Sequence, residues 1–284
     1  MVCPPGELHL SVVLLSMTAA LFGALVGAIL GLTGAGGAII AVPLLVFGLQ
    51  LLVAEAAPIA LFAVSITAAI GALLALKQGR VRYRAAGFIA LTGTLTAPMG
   101  IYIALKIPDA ALSLLFAALL GYVAIRMFRQ SNNNPAEAVA ELSPATPCQL
   151  DHLSGRLVWN AHCARSLALS GVAVGFLSGL LGVGGGFIIV PSLRKATHLP
   201  MRTIVTTSLT VIALVSAAGA FSAALAGSMN WSIALPFAAG AAAAMLVVCR
   251  FAHRFTGPGI QQCFAILAAA VAIGIIVRQV RNLL

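Results

Sequence analysis

The sequence carries very little charge. Asp, Glu, Lys and Arg make up 8% of its 284 residues, and only six are acidic. None of these side chains, and no His, lies in the middle of a long apolar run. Intramembrane carboxylates are the usual equipment of proton- and cation-coupled carriers, so their absence argues against that chemistry. Also missing are a paired acid, a nucleophile motif and a metal-ligand spacing, so no enzyme is expected. His198 beside Arg194 and Arg202, and His253 beside Arg250 and Arg254, read as basic flanks of apolar segments. The cysteines (Cys3, Cys148, Cys163, Cys249, Cys263) are odd in number and lack CxxC spacing. They imply neither a disulfide framework nor a metal site, and Cys249 and Cys263 read as apolar packing. No cofactor is implied.

What is abundant is hydrocarbon. Hydrophobic residues make up 61% of the chain, and its mean hydropathy is +1.10. Several runs approach the ~20 residues that span a bilayer. The start, MVCPPGELHLSVVLLSMTAALFGALVGA, has no positive leading region, and its apolar run outlasts a signal-peptide core. It reads as a retained membrane segment. The net charge of +10 could suggest nucleic acid, but the basic residues sit between apolar runs, as membrane flanks do. The partners expected are a lipid bilayer and a small anion, not nucleic acid. The oligomeric state stays open, with a homodimer among the options.

The apolar runs are 10–30, 38–54, 58–76, 85–105 and 110–128, then 166–181, a short 187–193, 203–226, 231–249 and 259–277. A polar stretch at 129–165 separates the two sets and holds three of the six acids. Spanning segments must be helical, because lipid leaves backbone amides and carbonyls no other partner. The chain therefore reads as an all-α integral membrane protein: a first membrane repeat (1–128), a cytoplasmic linker (129–165) and a second membrane repeat (166–284).

The repeat is visible in the glycines. GLTGAGGAIIAVP at 31–43 superposes on GLLGVGGGFIIVP at 179–191 with one constant offset. GRVRY (79–83) sits like GSMNW (227–231), and LFAALL (115–120) returns as CFAILA (263–268). Ser65-Ile66-Thr67 also resembles Ser208-Leu209-Thr210. Equivalent loops carry opposite charge bias. Loop 77–84 holds Lys77, Arg80, Arg82 and Arg84, whereas 226–231 holds no Lys or Arg; loop 50–57 holds only Glu55, whereas 194–202 holds Arg194, Lys195 and Arg202. With positive loops cytoplasmic, the halves face opposite ways, as in inverted-repeat transporters. Each half is then a Gly-broken helical hairpin followed by three transmembrane helices. Lys106, Arg278 and Arg281 are the exceptions to this orientation. Counting each broken pair as one crossing gives the alternative, eight spans in a parallel repeat.

Gly23, Gly27 and Gly31 recur every four residues, as do Gly171, Gly175 and Gly179, a spacing that lets a neighbouring helix approach closely. The GxGG at Gly34–Gly37 and Gly182–Gly185 is different. Each glycine costs a helix about 1 kcal/mol relative to Ala, but it can take positive φ and expose its amide. FIIVPSL, the arm after the second motif, is too short to cross alone. An arm beginning near mid-depth points its free amides and positive dipole end inward, as transporters do to hold anions. The expected substrate-binding residues are therefore Thr33, Gly34, Gly36 and Gly37, with Gly182, Gly184, Gly185 and Gly186. The recurring hydroxyls Ser65, Thr67, Ser208 and Thr210, with Thr207, are added as lining, although most membrane hydroxyls bond back to their own helix.

At these motifs the chain resembles the sulfite exporter TauE/SafE family, also called the toluene sulfonate uptake permeases. Members have two repeats, each opening with a GxxGxGGGxxxxP-type motif followed by a hydroxyl-bearing helix and a basic loop. The resemblance covers about 20–128 and 166–277, and departs from the pattern at Ala38, where the second copy has Gly186. It implies movement of sulfur-containing or organic anions such as sulfite, sulfoacetate or other sulfonates, usually outward, in proteins described with about eight spans. A negative cell interior favours anion export by about 2.3 kcal/mol per charge per 100 mV. The alternatives are a cation-coupled importer and a passive anion channel.

Overall fold

The computed structural model describes residues 5–34, 37–77, 83–132, 148, 160–196, 201–251 and 269–275. Among them the regular structure is helical: α1 (Pro5–Thr33), α2 (Gly37–Gly48), α3 (Val53–Lys77), α4 (Tyr83–Ala104), α5 (Asp109–Asn132), α6 (Ala161–Leu181), α7 (Gly186–Ala196), α8 (Met201–Leu225) and α9 (Trp231–Phe251). A further helical segment occupies 269–275. Six of these helices (α1, α3, α4, α6, α8 and α9) are long and apolar enough to cross a membrane. This is a multi-pass membrane protein. Its outward faces are large and apolar, for example Leu91, Leu95 and Met99 on α4 and Leu235, Leu246 and Val247 on α9, and lipid is the solvent that suits them.

The run read at 38–54 becomes a shorter helix. α2 ends at Gly48, and Gln50 follows with φ 54°, its side-chain amide donating to the Phe47 carbonyl at 2.9 Å. At 1.5 Å per residue the 12 residues of α2 and the 11 of α7 reach roughly 16–18 Å, well short of a ~30 Å hydrocarbon core. Both arms are short. α2 folds back along α1, so that a Cβ at Gly37 would meet the Leu30 backbone and one at Gly48 the Phe22 ring.

The packing is reciprocal between the halves. α1 lies on α9 as α6 lies on α4, α3 meets α9 as α8 meets α4, and α3 packs directly on α8. The glycine stripes make the first two contacts. Gly23, Gly27 and Gly31 face Phe237, Ala241 and the Met245–Val248 turn, while Gly171, Gly175 and Gly179 face Ile89, Gly93 and Ala97. At Gly23, Gly27, Gly175 and Gly179 the neighbour is a main-chain carbonyl, the close approach that the four-residue spacing implies. Thr96 adds an interhelical bond, its Oγ1 donating to the Val172 carbonyl at 3.3 Å.

At the centre, a Cβ at Gly71 would meet Leu209, and one at Gly219 would meet Leu61. As numbering rises along α3 it falls along α8, so these two helices run antiparallel. The interval from Leu61 to Leu209 and from Gly71 to Gly219 equals that from Gly34 to Gly182. That register corrects the hydroxyl pairing read from the sequence. Ser65 corresponds to Ala213 and Thr67 to Val215, whereas Ser208 corresponds to Ala60 and Thr210 to Phe62. The Ser-x-Thr strings match locally but occupy different positions on helices whose ends are fixed elsewhere.

The cysteine reading also needs correction, since Cys148 is joined to Cys163 by a disulfide. Both are buried, and the bond ties residue 148 of the linker to the first turn of α6. Cys249 is free and partly buried. Cys3, Cys263, His198, His253, Arg80 and Arg82 lie outside the described residues.

Candidate functional site

The second glycine break is the best-defined departure from helix in the interior. α6 ends where Gly182 turns left-handed at φ 71°, its N–H still donating to the Ser178 carbonyl at 2.9 Å. Gly184 and Gly185 follow at φ 67° and 68°, conformations that a side chain rarely adopts. Every residue from Leu181 to Gly186 is buried. Among the described residues, the N–H groups of Val183, Gly184 and Gly185 donate to no backbone carbonyl. α7 starts at Gly186, and the Gly185 carbonyl accepts from Ile188 and Ile189 in its first turn.

This break reaches the middle of the molecule. A Cβ at Gly184 would lie 2.9 Å from Ser216 Oγ, 3.1 Å from Val64 and 3.4 Å from Ile212. Val64 and Ile212 sit close to the midpoints of α3 and α8. Gly182 faces Ala57, nearer the start of α3.

The first break is built alike but lined differently. Gly34 is left-handed at φ 74°, buried, and set against Val205, the counterpart of Ala57. Gly37 opens α2 with no room for a side chain beside Leu30. Gly36 lies outside the described residues.

The hydroxyls expected to line the site are bonded to their own helices. Thr33 donates to the Ile29 carbonyl, Ser65 to Phe62, Thr67 to Ala63, Thr207 to Thr203, Ser208 to Ile204 and Thr210 to Thr206, at 2.6–3.1 Å. Back-bonding of this kind saturates the O–H group.

Two other hydroxyls behave differently. Ser178 Oγ and Ser216 Oγ are buried and have no hydrogen-bond partner. Ser178 was visible in the sequence as a hydroxyl within an apolar run but was not assigned to the site, and Ser216 was overlooked. The signal that finds both is a mismatch in the repeat. At the constant interval their counterparts are Leu30 and Ala68, both apolar and buried. Every buried polar side chain among the described residues is a hydroxyl (Ser65, Thr67, Ser178, Thr207, Ser208, Ser216), and no group of His, Cys, Asp and Glu there could hold a metal ion. Among the described residues, the interior therefore offers neutral hydrogen-bonding groups and helix ends, not ions.

Comparison with known proteins fits this arrangement. The family model of the sulfite exporter TauE/SafE matches residues 19–275, almost the whole membrane part. The chain belongs to the TauE/SafE family. A probable membrane transporter protein of Xylella fastidiosa (strain Temecula1) is 30% identical over 259 residues, covering 90% of this chain and 93% of its own. Shorter stretches match two further probable membrane transporter proteins. One is YunE of Bacillus subtilis, 41% identical over 68 residues (24% of this chain, 25% of its own). The other, from Methanocaldococcus jannaschii, is 48% identical over 54 residues (19% of this chain, 20% of its own). No solved structure matches the chain. As a TauE/SafE member it is a membrane transporter and not an enzyme; it moves a small molecule and resides in a lipid bilayer.

Proposed function

We propose that this TauE/SafE protein exports a small sulfur-containing or organic anion, such as sulfite or a sulfonate, as an inverted-repeat carrier. The observation that carries the reading is the buried second break, where Gly182, Gly184 and Gly185 turn left-handed and the N–H groups of Val183, Gly184 and Gly185 donate to no backbone carbonyl among the described residues, at the level of the α3–α8 crossing. Amides and the positive end of a helix dipole suit an anion in a site that excludes water. The anion lies between the two breaks, held by main-chain groups of Gly34–Gly37 and Gly182–Gly186. Thr33, Ser65, Thr67, Thr207, Ser208 and Thr210 contribute to the surrounding walls, not direct ligation, since their hydroxyls are already bonded.

The antiparallel run of α3 and α8 and the opposite charge of equivalent loops support inversion of the halves. With the basic loops cytoplasmic, the linker at 129–165 is cytoplasmic as well. Outward movement of an anion needs no coupling ion, because the membrane potential drives it. The buried polar set, made only of hydroxyls among the described residues, includes no carboxylate to hold a cation.

Vesicles loaded with radiolabelled sulfite provide the test. A carrier gives saturable efflux that accelerates when unlabelled sulfite is added on the far side. Efflux that rises linearly with concentration and ignores the far side would identify a channel. No efflux of sulfite or sulfonates at all would remove the substrate class.

A further inference from the structure

We infer that anion recognition is lopsided: the second glycine break supplies the oxygen-binding donors, and the Ser178 and Ser216 hydroxyls are two of them. This deepens the transport reading above and rests on it. Of the six buried polar side chains among the described residues, four donate to a carbonyl of their own helix. A serine in a helix always has such a carbonyl within reach. Ser178 and Ser216 do not use it and have no partner of any kind, although Ser178 is 1% exposed and Ser216 fully buried. Unpaired buried hydroxyls destabilise a protein and call for an explanation, commonly a ligand or a water.

Their positions narrow the explanation. They come from different helices, Ser178 from the last turn of α6 before the break and Ser216 from α8, which faces it. The Ser178 carbonyl receives the N–H of Gly182, the residue at which the backbone turns left-handed. Ser216 Oγ stands where a side chain on Gly184 would touch it, at 2.9 Å. Val183, Gly184 and Gly185, whose N–H groups donate to no backbone carbonyl among the described residues, follow Gly182 directly in the chain. Leu30 and Ala68 occupy the corresponding positions of the first break, so hydrocarbon replaces both hydroxyls there. A set of neutral O–H and N–H donors, with no cation, fits a head group with several terminal oxygens and a delocalised charge. A sulfite or sulfonate head is of that kind. Neutral donors also release such an anion more readily than an arginine would, because no buried charge is left unpaired when it departs.

The test uses the full-length protein in nanodiscs, with radiolabelled sulfite and methanesulfonate as probes and thermal unfolding measured with and without each. Ser178→Ala and Ser216→Ala should each weaken binding by about tenfold to a hundredfold, the usual loss for a hydrogen bond to a charged acceptor. Without anion, both variants should melt no lower than the parent, since each change deletes an unsatisfied group. Ser222→Ala, which removes a hydroxyl bonded to the Ala218 carbonyl, should leave binding unchanged. If both serine variants bind like the parent, or melt well below it without ligand, the assignment is overturned. Should Gly184→Ala lose binding while both serine variants keep it, the transport reading survives and the hydroxyl assignment fails. A parent protein that binds neither probe sinks both.

Discussion

Gly175 sets its Cα against the main-chain carbonyl of Gly93, so a methyl group at 175 would occupy the space of that oxygen. Gly27 stands in the same relation to Ala241 in the other half. Gly27→Ala and Gly175→Ala should therefore push α1 from α9 and α6 from α4, costing about 1–3 kcal/mol as overpacking does. The expected result is a melting temperature lowered by several degrees in detergent, with transport per folded molecule largely kept. Unchanged melting of both variants would mean these faces are not close-packed.

At the breaks the same substitution should act differently. Gly184→Ala adds a methyl 2.9 Å from Ser216 Oγ at φ 67°, and the left-handed backbone alone adds strain of about 1–2 kcal/mol. Anion flux should fall steeply while the protein still inserts and folds, and Gly36→Ala should behave likewise. A Gly184→Ala protein that transports normally and only melts earlier would move the site elsewhere.

Orientation can be measured directly. Single cysteines at Arg80 and Ser228, on a background without other cysteines, should label with an impermeant maleimide from opposite sides of the membrane. Labelling from one side would rule out inverted halves. Lys106, an exception to the cytoplasmic bias, has its ammonium 4.3 Å from the centre of the Tyr102 ring, an arrangement suited to a membrane–water boundary on either face.

The disulfide supplies an independent check on the same topology. Cytoplasmic thiols stay reduced, so a cytoplasmic linker implies that Cys148 and Cys163 are free in resting cells and pair only under oxidation. With Cys3, Cys249 and Cys263 replaced by Ala, both remaining thiols should take up an alkylating reagent in cells and become protected after diamide. Full protection without oxidant would place the linker on the oxidising face and reverse the proposed orientation.

Much of the architecture was legible because one interval governs the chain. It sets Gly34 on Gly182 and Pro43 on Pro191, and the helix starts Val53 and Tyr83 on Met201 and Trp231. The short reach of α7 followed from FIIVPSL, but α2 was read too long because nothing polar interrupts 38–49; its end depends on the left-handed Gln50. The pairing of the hydroxyls was misread for a related reason. Ser65-Ile66-Thr67 and Ser208-Leu209-Thr210 look alike as strings, and only the helix ends reveal that they are out of register. Whether a serine bonds to its own helix depends on rotamer and neighbours, so Ser216 could not be separated from Ser208 by type. The Cys148–Cys163 bond depends on how the linker returns to α6, and fifteen residues of sequence separation do not specify that path.

Under the proposed inversion, the antiparallel crossing of α3 and α8 gives the molecule two nearly interchangeable ends. If the two halves trade conformations, the result is the same shape turned upside down, and a doorway on one face becomes a doorway on the other. Identical halves would leave these two states equal in energy. Ser178 where the other half has Leu30, and Ser216 where it has Ala68, break that equality, so on the proposed recognition an anion would meet a more polar wall in one half than in the other. The chain is then a seesaw with unequal arms. Its resting tilt can be read by comparing the half-saturating sulfite concentration from the two faces of oriented vesicles, where equal values would mean that the mismatched residues do not bias the balance.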